Sequence, residues 1–125
     1  MSTYEKSKKK ILVVDDSELN RAILADMLKD DYEILEARDG VEAVATVQQH
    51  DNEIALMLLD IVMPKMDGFE VLKVMNKGGW IDHIPVIMIS AEASSQYISK
   101  AYDMGVTDYI VRPFDSKVVH HKANN

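Results

Sequence analysis

At 125 residues, with 47% hydrophobic and 28% charged side chains, the chain suits one globular domain with a substantial core and leaves no room for a second. The absence of cysteine excludes a disulfide framework, thiolate metal sites and a cysteine nucleophile, and fits a reducing compartment. A formal charge of −7 argues against direct nucleic-acid contact, which needs clustered Lys and Arg, and makes hard divalent cations the more natural ionic partner.

No apolar run approaches the length of a membrane span, and the patch Ile11 to Val14 is too short for a signal peptide, so a cytoplasmic protein without a membrane partner is expected. Residues 1–9, with Lys6, Lys8 and Lys9, read as a solvated polar lead-in to a domain over residues 10–125. Ile11 to Val14 is a short buried strand that runs directly into Asp15, Asp16 and Ser17. From Glu18, the residues Leu19, Ile23, Met27 and Leu28 recur at helical spacing, with Asn20, Arg21, Asp26 and Lys29 on the other side. Tyr32 to Ala37 is more polar, as an edge strand would be. Asp39 and Glu42 have capping-box spacing and open a second helix, with Val41, Val44 and Val47 expected on its inner face.

The run Ala55 to Leu59 is what a strand buried on both faces looks like, and Asp60 interrupts it. A carboxylate there is costly unless it stands at the strand's end, facing a polar crevice, or is paired with a cation. Pro64 stops the strand and Gly68 permits a tight turn into a helix carrying Phe69, Val71, Leu72 and Met75, which Gly78 and Gly79 end. Trp80 follows in a loop. Pro85 to Ile89 is a β-branched strand ending on Ser90. A helix with Tyr97, Ile98, Ala101 and Tyr102 stops at Gly105, and Asp108 to Val111 is the fifth strand, ending in Arg112 and Pro113. The last helix opens near Asp115 and Ser116 and runs out within about two turns.

Strands alternating with helices imply right-handed crossovers and an α/β fold, a doubly wound five-stranded parallel sheet covered on both sides. In such sheets ligands bind beyond the carboxyl ends of the strands, where strand order reverses. Asp15, Asp16, Asp60, Ser90 and Arg112 all fall there. An ordinary strand-terminating aspartate explains Asp60 alone, but turn composition does not readily explain four apolar strands that all end in chemically useful groups. Carboxylates roughly 5 Å apart at an effective dielectric of ~20 repel by about 3 kcal/mol per pair. Either one takes a raised pKa or a divalent cation is held among them, and an all-oxygen site with few protein ligands suits Mg²⁺, with Mn²⁺ as a substitute. Asp60, the most central, is then placed to attack a phosphoryl donor, with Ser90 and Arg112 completing the electrostatic cradle.

These residues resemble the receiver domain of two-component response regulators from Lys10 onwards. The matching pieces are Val13-Val14-Asp15-Asp16, Asp60 with Met63-Pro64 and Asp67-Gly68, Ser90-Ala91, Asp108-Tyr109-Ile110 and the basic residue before Pro113. The resemblance implies a flavodoxin-like (βα)5 fold with strand order 2-1-3-4-5, an order taken from the family and not from the spacing. It implies Asp60 as phosphoacceptor, Asp15, Asp16, Asp60 and the backbone carbonyl of Val62 as Mg²⁺ ligands, Ser90 and Tyr109 as the switch pair, and a cis bond before Pro113. The donor would be a sensor histidine kinase or phosphotransfer protein, and the chain would turn over no separate substrate. Signal would pass through the face of the fourth helix, fifth strand and fifth helix, where a homodimer could also form, to an output domain of a longer chain from which this one is an N-terminal piece.

One departure from the pattern is Arg112, which stands where the family has lysine; a planar fork is not interchangeable with a compact point charge. Altered switching is expected from it. It is also the one support for the alternative of a pseudo-receiver, a phosphorylation-independent interaction module. Val62 and Glu92, two residues beyond Asp60 and Ser90, are expected to tune loss of the phosphoryl group. A Mg²⁺-dependent phosphatase would want an acid where Val62 stands, and a flavin module would not place Asp15 and Asp16 after its first strand.

Overall fold

A computed structural model describes residues 8–124. The chain runs β1 (Lys9–Val14), α1 (Glu18–Leu28), β2 (Tyr32–Ala37), α2 (Gly40–His50), β3 (Ile54–Leu59), α3 (Gly68–Lys77), a 3₁₀ turn (Trp80–Asp82), β4 (Val86–Ser90), α4 (Ser95–Asp103), β5 (Asp108–Val111) and α5 (Ser116–Asn124). The five strands form one parallel sheet in the order β2-β1-β3-β4-β5. Most of the polar lead-in expected over residues 1–9 lies outside the described residues, and Lys9 already pairs with Tyr32 in the sheet.

Alternation along the strands sends successive side chains to opposite faces. Leu12, Val14, Met57, Leu59 and Met88 pack with Ala43 and Val47 of α2, Val71, Leu72 and Met75 of α3 and Ala101 of α4. Ile11, Val13, Leu56, Leu58, Ile87 and Ile89 pack with Leu24 and Leu28 of α1 and Val119 of α5. Two helical layers therefore enclose the strands on both sides, which is why their sequences are apolar almost without interruption.

Two helical faces differ from expectation. On α1, Leu28 is buried and Met27 packs against the core as expected, but Leu19 and Ile23 are 69% and 40% exposed and Leu24 is buried in their stead. The helix offers two overlapping stripes of the same four-residue spacing, and packing against the sheet takes the one that carries Leu24 and Leu28. On α2, Val41 is exposed and Ala43 takes its place against the core, so the smaller side chain permits close approach. Asp39 does accept from the Glu42 N–H at 2.8 Å, but the returning carboxylate bonds the N–H of Arg38 instead of that of Asp39, so the box is open by one residue. The closed capping box is at α3, between Asp67 and Glu70.

Candidate functional site

Strand order reverses between β1 and β3, because the chain leaves β1 for β2 on one side and returns to β3 on the other. The N–H of Asp60 donates to the carbonyl of Val14 at 3.0 Å, tying the end of β3 to the end of β1. On the far side of β3, the N–H of Arg112 donates to the carbonyl of Ser90 at 2.9 Å. These backbone links carry Asp15, Asp16, Asp60, Ser90 and Arg112 to one edge of the sheet.

Asp15, Asp16 and Asp60 each offer a carboxylate oxygen within 4.8 Å of the others'. Asp15 and Asp60 are buried and Asp16 is exposed, so two of the charges are strongly desolvated. At that separation and an effective dielectric of ~20, each pair repels by about 3.5 kcal/mol. Arg112 offsets part of this: its Nη2 donates to Asp15 Oδ2, and its Nη1 lies 3.7 Å from Asp60 Oδ2. Burial pushes the Asp60 carboxyl up to about 6; the Arg112 guanidinium pulls it down, while Asp15 and, less strongly, Asp16 push it further up. The backbone also holds the acids, with the Ser17 N–H on Asp15 Oδ1 at 2.9 Å and the Ile61 N–H on Asp60 Oδ1 at 2.8 Å.

The donor set fits Mg²⁺: all ligands are hard oxygens, few come from protein, and Asp16 leaves an open side for water. Carboxylate oxygens within 4.8 Å of one another are near enough for one small cation to draw on, directly or through its waters. Val62 is 62% exposed on the rim, two residues beyond Asp60.

Ser90 is buried, and its Oγ accepts from the Glu92 N–H at 3.2 Å. Tyr109 is also buried, its hydroxyl donating to the Glu92 carbonyl at 2.7 Å. One peptide segment thus links the hydroxyl at the site to the aromatic ring behind it, and the ring is already turned inward. The Arg112–Pro113 bond is cis, as expected.

Three contributions were not apparent from sequence, although Gly68 itself was among the residues that carry the resemblance. Arg21, assigned to the outer face of α1, donates from Nη1 to the Asp15 carbonyl at 2.7 Å while its Nε is held by Glu36 at 3.0 Å. Ser17, which caps α1 by accepting from the Asn20 N–H at 3.2 Å, also fixes the Asp15 carboxylate through its own N–H. Gly68 lies so close under the Asp60 carbonyl that a Cβ there would sit 2.4 Å from the oxygen. Asp15 followed two places later by Ser17 is a local signal that was available; the other two depend on tertiary approach.

The family model of the response regulator receiver domain matches residues 11–124. Chemotaxis protein CheY of Pseudomonas aeruginosa is 34% identical over 115 residues, covering 90% of this chain and 91% of that protein. Histidine kinase P4 of Formosa agariphila is 34% identical over 121 residues, 97% of this chain but 9% of the kinase. The chain likewise spans only 25%, 46% and 31% of three other curated relatives it matches. Among solved structures, the CheX-CheY-BeF3-Mg²⁺ complex of Borrelia burgdorferi contains a chain 33% identical, with a TM-score of 0.85, covering 93% of this chain and 87% of its own.

Proposed function

The chain belongs to the response regulator receiver domain family of two-component signalling, and on that premise we propose that it is a switch operated by a phosphoryl group carried on Asp60. The observation that carries this reading is the meeting of three carboxylates within 4.8 Å at the switch point of the sheet, with Asp60 the member at the end of the central strand. A carboxylate oxygen of Asp60 attacks phosphorus, a new P–O bond forms, and the bond from phosphorus to the leaving group breaks. With a phosphohistidine donor, the departing imidazole takes a proton from solvent. Mg²⁺, held by Asp15, Asp16, Asp60 and the Val62 carbonyl, would supply the positive charge that lets a dianionic phosphoryl group approach these acids. Ser90 donates its hydroxyl proton to a phosphoryl oxygen, and because Glu92 bridges it to Tyr109, that movement is transmitted to the β4–α4 connection.

The phosphoryl donor is a sensor histidine kinase or a phosphotransfer protein, and the occurrence of a similar stretch within a much longer histidine kinase supports a place in that signalling. Output passes through α4, β5 and α5, to an attached domain or a partner. On that face Tyr102 and Lys122 both bond Asp108, at 3.1 and 2.6 Å, so the surface is pre-ordered and its charges are partly satisfied within the chain. Among the described residues no helix is long and apolar enough to cross a membrane. The pseudo-receiver reading finds support only in Arg112, and the intact set of Asp15, Asp16, Asp60 and Ser90 weighs against it.

Incubation with Mg²⁺ and acetyl phosphate, followed by intact-mass measurement, should add one phosphoryl group to the wild type and none to Asp60→Asn or to chelator-treated protein. No addition to either the wild type or Arg112→Lys would replace this reading with the pseudo-receiver. Once formed, the phosphoprotein should be long-lived, since Val62 presents a branched apolar side chain on the rim where water enters. Val62→Asn should speed its decay about fivefold, which is what one net hydrogen bond of ~1 kcal/mol to the attacking water supplies. Unchanged decay would remove Val62 from that role.

A further inference from the structure

The pocket holds a cation of its own. Each buried aspartate has one oxygen held by backbone, Oδ1 of Asp15 by the Ser17 N–H and Oδ1 of Asp60 by the Ile61 N–H. The two Oδ2 atoms are the least committed, and both face Arg112, one in a hydrogen bond to Nη2 and the other 3.7 Å from Nη1. A divalent ion that engages both buried carboxylates competes with Arg112 for these least committed oxygens. We propose that the Arg112 guanidinium and a divalent cation occupy this pocket alternately, so that metal loading requires Arg112 to swing out. This rests on the reading of the pocket as a divalent-cation site.

Two further observations support the exchange. Arg112 Nε is buried without a hydrogen-bond partner among the described residues, so the inward rotamer is held by the carboxylates alone and loses its hold once a metal neutralises them. The backbone of Arg112 is fixed to Ser90 in the sheet, while its side chain is 19% exposed against 1% for that of Asp15. The side chain can therefore leave toward solvent without moving the strand. A compact ammonium has no fork to span both carboxylates, which makes the guanidinium the stronger competitor. The protein then takes up metal with an affinity lowered by the fraction of time the pocket is free.

The test is Mg²⁺ and Mn²⁺ titration by calorimetry, with melting temperatures measured with and without metal, on the wild type, Arg112→Lys and Arg112→Gln. Arg112→Gln should bind Mg²⁺ about tenfold more tightly than the wild type, with Arg112→Lys in between. Without metal, Arg112→Gln should melt below the wild type, and saturating Mg²⁺ should close or reverse that gap, because the ligand stabilises the state that binds it best. If Arg112→Gln does not fold, the comparison of Arg112→Lys with wild type carries the test. Equal affinities and equal metal-induced melting shifts would overturn the exchange while leaving the phosphoacceptor reading intact. Tighter metal binding in the variants, with no phosphoryl uptake by any protein, would sustain the exchange and overturn that reading. Absence of binding in all three proteins would overturn both.

Discussion

In metal-free buffer the protein should lose stability as the pH rises from 5 to 7.5, and Asp60→Asn should flatten that decline. The folded protein holds the Asp60 carboxyl at about 6, against an ordinary value of 3.8, chiefly because the group is buried. Between those values the folded state binds more protons than the unfolded one, so stability falls with rising pH. The contribution is complete below about pH 4 and is lost as the pH passes through 6. Its size follows from the difference between the two values and is on the order of 3 kcal/mol, or roughly 10 °C in melting temperature for a domain of this length. Asp108 behaves oppositely: Lys122 and the Tyr109 N–H hold its carboxyl below the usual range despite the opposing effect of burial, so its contribution disappears only in stronger acid. The two windows do not overlap, and a melting series at pH 5, 6, 7 and 8 isolates Asp60. Parallel curves for wild type and Asp60→Asn would mean that Arg112 outweighs burial and keeps Asp60 ionised throughout.

What the sequence showed and what it concealed divide along a physical line. Strand ends were legible because Asp60 and Ser90 are polar residues closing apolar runs, a contrast that depends on neighbours in the chain. The phase of α1 was legible only at Met27 and Leu28, because Leu19 and Ile23 continue as regular a stripe as Leu24 does, and only the sheet chooses between them. The same holds at the site. Asp15, Asp16 and Asp60 could be assembled from their places at strand ends, and the cis bond accompanied the family resemblance. Which oxygens of Asp15 and Asp60 are taken by backbone, and that Arg112 reaches both acids, depend on side-chain directions set by packing. Arg21 was placed on the face away from the core, yet its side chain is 14% exposed and reaches the Asp15 carbonyl, a property of how α1 lies against β1 and β2.

Gly68→Ala should damage both stability and phosphoryl transfer more than any other single-methyl addition at the site. Gly68 is the first residue of α3, and its N–H donates to the Ile61 carbonyl at 2.8 Å. A Cβ there would meet the Asp60 carbonyl oxygen at 2.4 Å and Ile61 Cα at 2.9 Å. Both obstacles are backbone, so no rotamer change relieves them; either α3 or the segment carrying Asp60 must retreat by about an ångström. Overpacking of this kind costs typically 1–3 kcal/mol, and the absence of a yielding side chain places this case near the upper end, a fall of roughly 10 °C in melting temperature. Displacement of the attacking carboxylate by about 1 Å should slow uptake from acetyl phosphate on the order of 100-fold. Gly79→Ala supplies the contrast. Gly79 has φ +79° with open space around its Cβ position, so alanine there should cost about 1 kcal/mol of backbone strain and leave uptake unchanged. A Gly68→Ala protein that melts with the wild type would show that α3 can shift freely. One that melts early but is phosphorylated at the full rate would separate the start of α3 from the positioning of Asp60.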